Sequence, residues 1–237
     1  GEQRVFGAAF AASSVLVPYC LGTVAGGVAS GRVPAGGQAG DPVDSWVNPT
    51  SVLGGVLAVT AVAYLSAVYL VSDARRFDDT EMAEYFRRRA VVAAVVVAGI
   101  GIAGIFVLRA DAPYVFDGLT SRALAPVIAS TVCGAGALAL LVRDAARIGR
   151  LLAVLAIAGA IVSWGVAQWP YLLPESLEFS DAAAPSGTLT ALLVVVALAA
   201  ILVVPAFTLL YVLDQKGLLP EESVDDDADR DARRPAL

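Results

Sequence analysis

Six stretches of this sequence run without a single Asp, Glu, Lys or Arg, over residues 5–31, 45–72, 90–108, 123–142, 151–174 and 182–213. About 20 apolar residues at a 1.5 Å rise cross a hydrocarbon core roughly 30 Å thick, and each run meets that length or nearly so. The longer runs leave room for caps and tilt. A membrane β-barrel needs short segments of strict alternation, whereas these runs are continuously apolar and rich in Ala, Val and Leu. The pattern predicts an all-α integral membrane protein with about six transmembrane helices in a packed bundle. That bundle occupies residues 1–219, and an acidic tail over residues 220–237 is expected to be disordered.

Local signals sharpen the helix ends. Asn48-Pro49 reads as an N-cap followed by proline at the first helical position of the second span. Ser180 or Asp181 is the expected cap of the last span. The mixed-charge segment 73–89 is expected to extend the second and third helices beyond the apolar layer. Pro18, Pro126 and Pro205 fall within or near the starts of spans, where neighbouring helices meet the carbonyls they free. Trp46, Tyr114, Trp169, Tyr171 and Tyr211 lie near predicted interfaces, as an aromatic belt requires. Gly22 and Gly26 have the small-xxx-small spacing that lets helix backbones approach, and close packing is the reading given to the many glycines of the spans.

The charges support the same count and add a direction. If the first end lies in the cytoplasm, 13 of the 16 basic residues fall on that side, and only Arg32, Arg109 and Arg122 fall opposite. The positive-inside rule then places both termini in the cytoplasm of a multi-pass plasma-membrane protein. One span more or fewer would scramble this alternation. Only 16% of residues are charged, against about 25% in soluble domains. The net charge of -6 is concentrated in the tail, where five aspartates crowd between Asp225 and Asp231, and Lys216 is the only lysine. Abundant aspartate with scarce lysine suits a salt-rich cytoplasm and suggests a halophilic source. The chain enters an apolar run almost directly from Gly1, without a basic n-region or cleavage site, so the natural protein is expected to begin earlier.

Several chemistries lack their residues. There is no histidine, and the single methionine, Met82, lies in a charged segment. Cys20 and Cys133 stand in separate apolar runs without metal-site spacing, and packing accounts for them. No charged residue interrupts a span, which leaves coupled transport through a buried carboxylate unsupported. A retinal Schiff base needs a membrane lysine, and Lys216 lies beyond the last span. No phosphate loop, dinucleotide fingerprint or zinc-protease motif is present. Interhelical hydrogen bonds account for most span hydroxyls. One polar and aromatic cluster stands apart: Trp164, Gln168, Trp169 and Tyr171 are candidates for contact with a quinone or lipid headgroup, beside a plain role as interface anchors.

The stretch from Ser163 to Pro174, with Trp164, Gln168, Trp169, Pro170 and Tyr171 in order, resembles the end of the penultimate helix of subunit II of cytochrome bd-type quinol oxidases. Asp181 to Pro185, a Ser-Gly-Thr step and a long final helix follow, also like that family. Trp46-Val47-Asn48-Pro49 with Leu53-Gly54-Gly55, and Gly22 through Pro34, are similar to earlier segments, in the same order. The resemblance implies a non-haem accessory subunit. It would pair with a larger subunit I that carries haems b and d, oxidises quinol and reduces oxygen to water. It implies no catalytic, metal-ligating or firmly assigned cofactor residue here, although subunit II can hold a structural quinone. The family's first helices, with their acidic residues linked to proton delivery, have no counterpart in this chain. A permease or transporter fragment and a purely structural scaffold are the competing readings.

Overall fold

The computed structural model describes residues 2–36, 40–143 and 146–215. The predicted tail lies outside them. Among the described residues six helices are long and apolar enough to cross a membrane. In chain order the elements are α1 (Glu2–Ala29), α2 (Pro49–Arg76), α3 (Thr80–Asp111), a short α4 (Pro113–Thr120), α5 (Leu124–Val142) and α6 (Ala146–Gln168). A small hairpin of β1 (Tyr171–Leu173) and β2 (Leu177–Glu178) follows, then α7 (Phe179–Ala182) and α8 (Ser186–Gln215).

The helix starts follow from side chains that satisfy free backbone N–H groups. Asn48, extended at φ -135°, accepts the Ser51 N–H at 2.8 Å, and Pro49 opens α2 as expected. Asp79 does the same for α3, accepting from Met82 N at 2.9 Å. α1 gives way at Gly31, whose φ of +72° is the left-handed geometry glycine tolerates best at a helix end. α2 runs to Arg76 and α3 begins at Thr80, so segment 73–89 does extend both helices. In the loop before α2, Asp44 and Val43 donate backbone N–H bonds to Asp41 at 2.8 Å and hold its carboxyl below the usual range. The stabilisation these bonds give the turn is present at neutral pH and is lost as pH falls through the lowered value.

Two sequence expectations are corrected, and one helix is added. The fifth apolar run does not remain helical to residue 174, because α6 stops at Gln168 and the chain turns into the β1–β2 hairpin. Pro170 has no N–H with which to continue a helical ladder. The last span is not capped by Ser180 or Asp181. Those residues belong to α7, and α8 opens after Pro185, whose carbonyl accepts from Thr188 N and Leu189 N. The connection between the third and fourth spans contains a further helix, α4, opened by Pro113.

The chain divides into two compact units, residues 1–182 and residues 183–237. In the first, α2 packs most extensively against α1 and α3, and α5 pairs with α6. Between α1 and α2 the backbones themselves meet. A Cβ on Gly22 would collide with the carbonyl of Gly54, one on Gly54 with the carbonyl of Gly22, and one on Gly26 with the carbonyl of Thr50. The small residues are therefore the contact itself.

Two buried clusters form the core of this unit. Tyr64, Ala67 and Val68 of α2 meet Ala90, Ala137, Leu141 and Ala153. At the opposite helix ends Ala29, Ala112, Val115, Ala123 and Ala167 close together, with Trp164 packed against them. The second unit is dominated by α8, which contains Pro205 and is apolar along its length.

Candidate functional site

The end of the bundle where α1, α3 and α6 finish holds the residues singled out from the sequence. Gln168 is buried, and its Nε2 donates to Leu172 O at 2.8 Å across the turn into β1. That carbonyl can only accept, so the amide orientation is set. Its other end, Oε1, is buried and has no hydrogen-bond donor among the described residues. A buried unpaired carbonyl costs about 1–3 kcal/mol.

Around this amide the aromatics are arranged in layers. Trp169 is 61% exposed and stacks on Phe179, ring centres 5.7 Å apart and planes 20° off parallel. Tyr171 meets Tyr114 of α4 edge to face at 5.4 Å, and the Tyr114 hydroxyl donates to Trp169 O at 3.0 Å. Trp164 lies one turn back along α6, in the cluster beneath. The structure therefore unites Gln168, Trp169 and Tyr171 at one corner, while Trp164 supports it from within the bundle.

Two ion-centred contacts frame this end, and reading the sequence run by run missed both. Asp111, the last residue of α3, accepts from Thr50 N at 3.0 Å and Thr50 Oγ1 at 2.6 Å, and pairs with Arg32 just beyond α1. Its carboxylate sits at the first turn of α2, where free N–H groups and the helix dipole favour negative charge. One side chain thus ties three helices. Arg122, between α4 and α5, donates Nε to Val166 O and Ala167 O at 3.1 Å and Nη2 also to Ala167 O. Its guanidinium lies 4.8 Å from the Tyr114 ring centre. A cation on the last carbonyls of α6 is favoured by the dipole. The available signal was that Arg32 and Arg122 are two of the three basic residues on their side, with Asp111 two residues after Arg109, which ends a charge-free run.

Arg122→Ala is expected to lower stability by about 1–2 kcal/mol through loss of these carbonyl bonds. Unfolding of the detergent-solubilised protein would measure it, with the largest loss of protection expected at the end of α6.

Comparison with known proteins agrees with this architecture. The family described as cytochrome bd terminal oxidase subunit II matches residues 1–214. A solved structure, "The structure of bd oxidase from Geobacillus thermodenitrificans", is similar with a TM-score of 0.63 and 24% identity, and at that identity the likeness speaks to the fold. It covers 84% of this chain and 61% of that one, so this chain spans less than two thirds of its length. No curated protein matches by sequence. The match over nearly the whole chain settles its kinship: this protein belongs to the cytochrome bd terminal oxidase subunit II family.

Proposed function

We propose that this chain is a non-haem accessory subunit of a membrane quinol oxidase, whose partner subunit carries haems b and d, oxidises quinol and reduces oxygen to water. The observation that carries this reading is the family match over residues 1–214. The donor set of the chain agrees with that division of labour. The sequence has no histidine; Met82 is 45% exposed, Cys20 is exposed and Cys133 stands on another helix. Among the described residues no three metal-ligating side chains gather. In this reading the redox steps belong to the partner, and this chain contributes helix surface, assembly and membrane placement. Both termini lie in the cytoplasm of the plasma membrane in this reading, in keeping with the basic residues.

The corner of Gln168, Trp169 and Tyr171, with Trp164 behind it, acts first as an interface anchor that turns α6 into the hairpin. A specific observation also favours a ligand there: the buried Oε1 of Gln168 lacks a donor. A quinol hydroxyl or a lipid headgroup donor would complete it, but the amide is enclosed, so a quinone ring would have to part the hairpin. Gln168→Leu separates the two roles. As an anchor alone, the variant loses one hydrogen bond, about 1 kcal/mol, and keeps the quinol KM of the whole complex. A KM raised severalfold with unchanged melting would assign the corner to quinol.

Deletion tests the accessory role. Membranes lacking this chain are expected to lose quinol-driven oxygen uptake together with the partner's haem bands. Uptake unchanged by the deletion would contradict the proposal and favour a scaffold without a part in the oxidase.

A further inference from the structure

An open groove of about 430 Å³ runs between α2 and α3, far from the hairpin corner. Arg88 and Arg89 stand at one end of it. Val92, Ala93 and Val96 continue it along α3, and Ala63 and Thr60 line the α2 side. Positions 88, 92 and 96 follow each other at four-residue intervals, so they form one stripe on the helix. From Arg88 to Val96 the stripe descends roughly 12 Å at 1.5 Å per residue.

Depth and charge give this groove a specific character. The charge-free run of the third span begins at residue 90, directly after Arg89. The two guanidinium groups therefore stand where the hydrocarbon ends and headgroup phosphates lie, while the rest of the groove is inside the acyl layer. Among the described residues neither Arg88 nor Arg89 has a carboxylate to itself. Glu84 binds Arg87 and Arg88 together, at 2.6 and 3.0 Å, so Arg88 shares its carboxylate. Arg89 turns to the Tyr85 ring, 3.3 Å from its centre, and to the Tyr85 carbonyl, with no carboxylate among these contacts. Arg88 remains 78% exposed. Each guanidinium has five N–H donors, and these contacts use only part of them. Simple snorkelling would explain the arginines but not the apolar trough that continues beneath them, lined by Ala63 and Ala93.

We infer that the groove is a binding site for an anionic phospholipid, its phosphate held by Arg88 and Arg89 and one acyl chain lying along Val92, Ala93, Val96 and Ala63. Arginine is suited to phosphate because its planar donors match the oxygens, and basic clefts between membrane helices select anionic headgroups. The site lies wholly within this chain and does not depend on the oxidase reading.

The test is native mass spectrometry of the full complex, purified in mild detergent, delipidated and titrated with dioleoyl phosphatidylglycerol or dioleoyl phosphatidylcholine. Phosphatidylglycerol is expected to leave a discrete adduct on this subunit, and phosphatidylcholine is not. Each basic side chain near an anionic headgroup contributes about fivefold in affinity, so Arg88→Gln with Arg89→Gln should weaken the adduct roughly twenty-five-fold. Arg88→Lys with Arg89→Lys should retain most of it. Ala93→Phe fills the trough without changing charge and should also weaken it, and glycerol phosphate, a headgroup without chains, should not displace the lipid. Melting of each variant shows that the bundle is intact. Equal retention by the glutamine variant, equal binding of phosphatidylcholine, or protection of the groove by another subunit in the delipidated complex would each overturn the assignment.

Discussion

Replacing Gly22 with leucine is expected to separate α1 from α2 and to lower the stability of the bundle by about 3 kcal/mol, the upper part of the range for overpacked sites. The reason is geometric. Even a single Cβ there would meet the Gly54 carbonyl and lie 2.7 Å from the Ala58 Cβ, and backbone cannot swing aside as a long side chain can. Within a bilayer there is little hydrophobic gain to offset the lost contact, because lipid solvates the freed helix faces as well as protein does. Gly99→Leu is the control, since a Cβ at that position meets nothing within 4 Å. The pair should differ sharply in unfolding by sodium dodecyl sulfate. Similar curves for both would show that the α1–α2 contact is not the close one described.

Removing the carboxylate of Asp111 is the second large effect, with a cost of about 3 kcal/mol for Asp111→Ala. Two components can be told apart. Arg32 is 40% exposed while the Asp111 side chain is 9% exposed, so water competes for the arginine more than for the carboxylate. Partly exposed ion pairs contribute about 1 kcal/mol or less. The bonds from Thr50 N and Thr50 Oγ1, charge-assisted and at a helix N-terminus, should carry the larger share. Arg32→Ala is therefore expected to cost about 1 kcal/mol, and Asp111→Asn, which keeps an acceptor for Thr50, to fall between the two alanine variants. Unfolding of the solubilised protein, read by tryptophan fluorescence, provides the ranking. An Arg32 variant as damaged as the Asp111 variant would shift the weight to the ion pair.

The residues explain why part of this arrangement was legible in the sequence and part was not. The six spans follow from length and hydropathy, since a bilayer allows few alternatives to a helix there. Asn48-Pro49 was readable because capping is local, and Gly22 and Gly26 because their spacing places them on one helix face. The end of α6 was not. Residues 169–174 are as uncharged as the helix before them, so hydropathy continues where the backbone turns, and only Pro170 hints at the break. Asp111 was missed for a different reason. Its partners, Thr50 and Arg32, are 61 and 79 residues away in sequence, and run-by-run reading assigns a charge beyond a span to solvent. The quinone and lipid candidates were found as a sequence cluster, yet the fold buries Gln168, leaves Trp164 half-buried against the core and puts Trp169 on the surface.

The central claim is that this chain works beside a haem-bearing partner. The most direct measurement is affinity purification of the full-length protein from its native membranes in mild detergent, followed by a reduced-minus-oxidised visible spectrum. The account predicts a larger subunit at equal stoichiometry and absorbance bands of b- and d-type haem. A stable, colourless preparation without that subunit would contradict it and bring the permease reading forward.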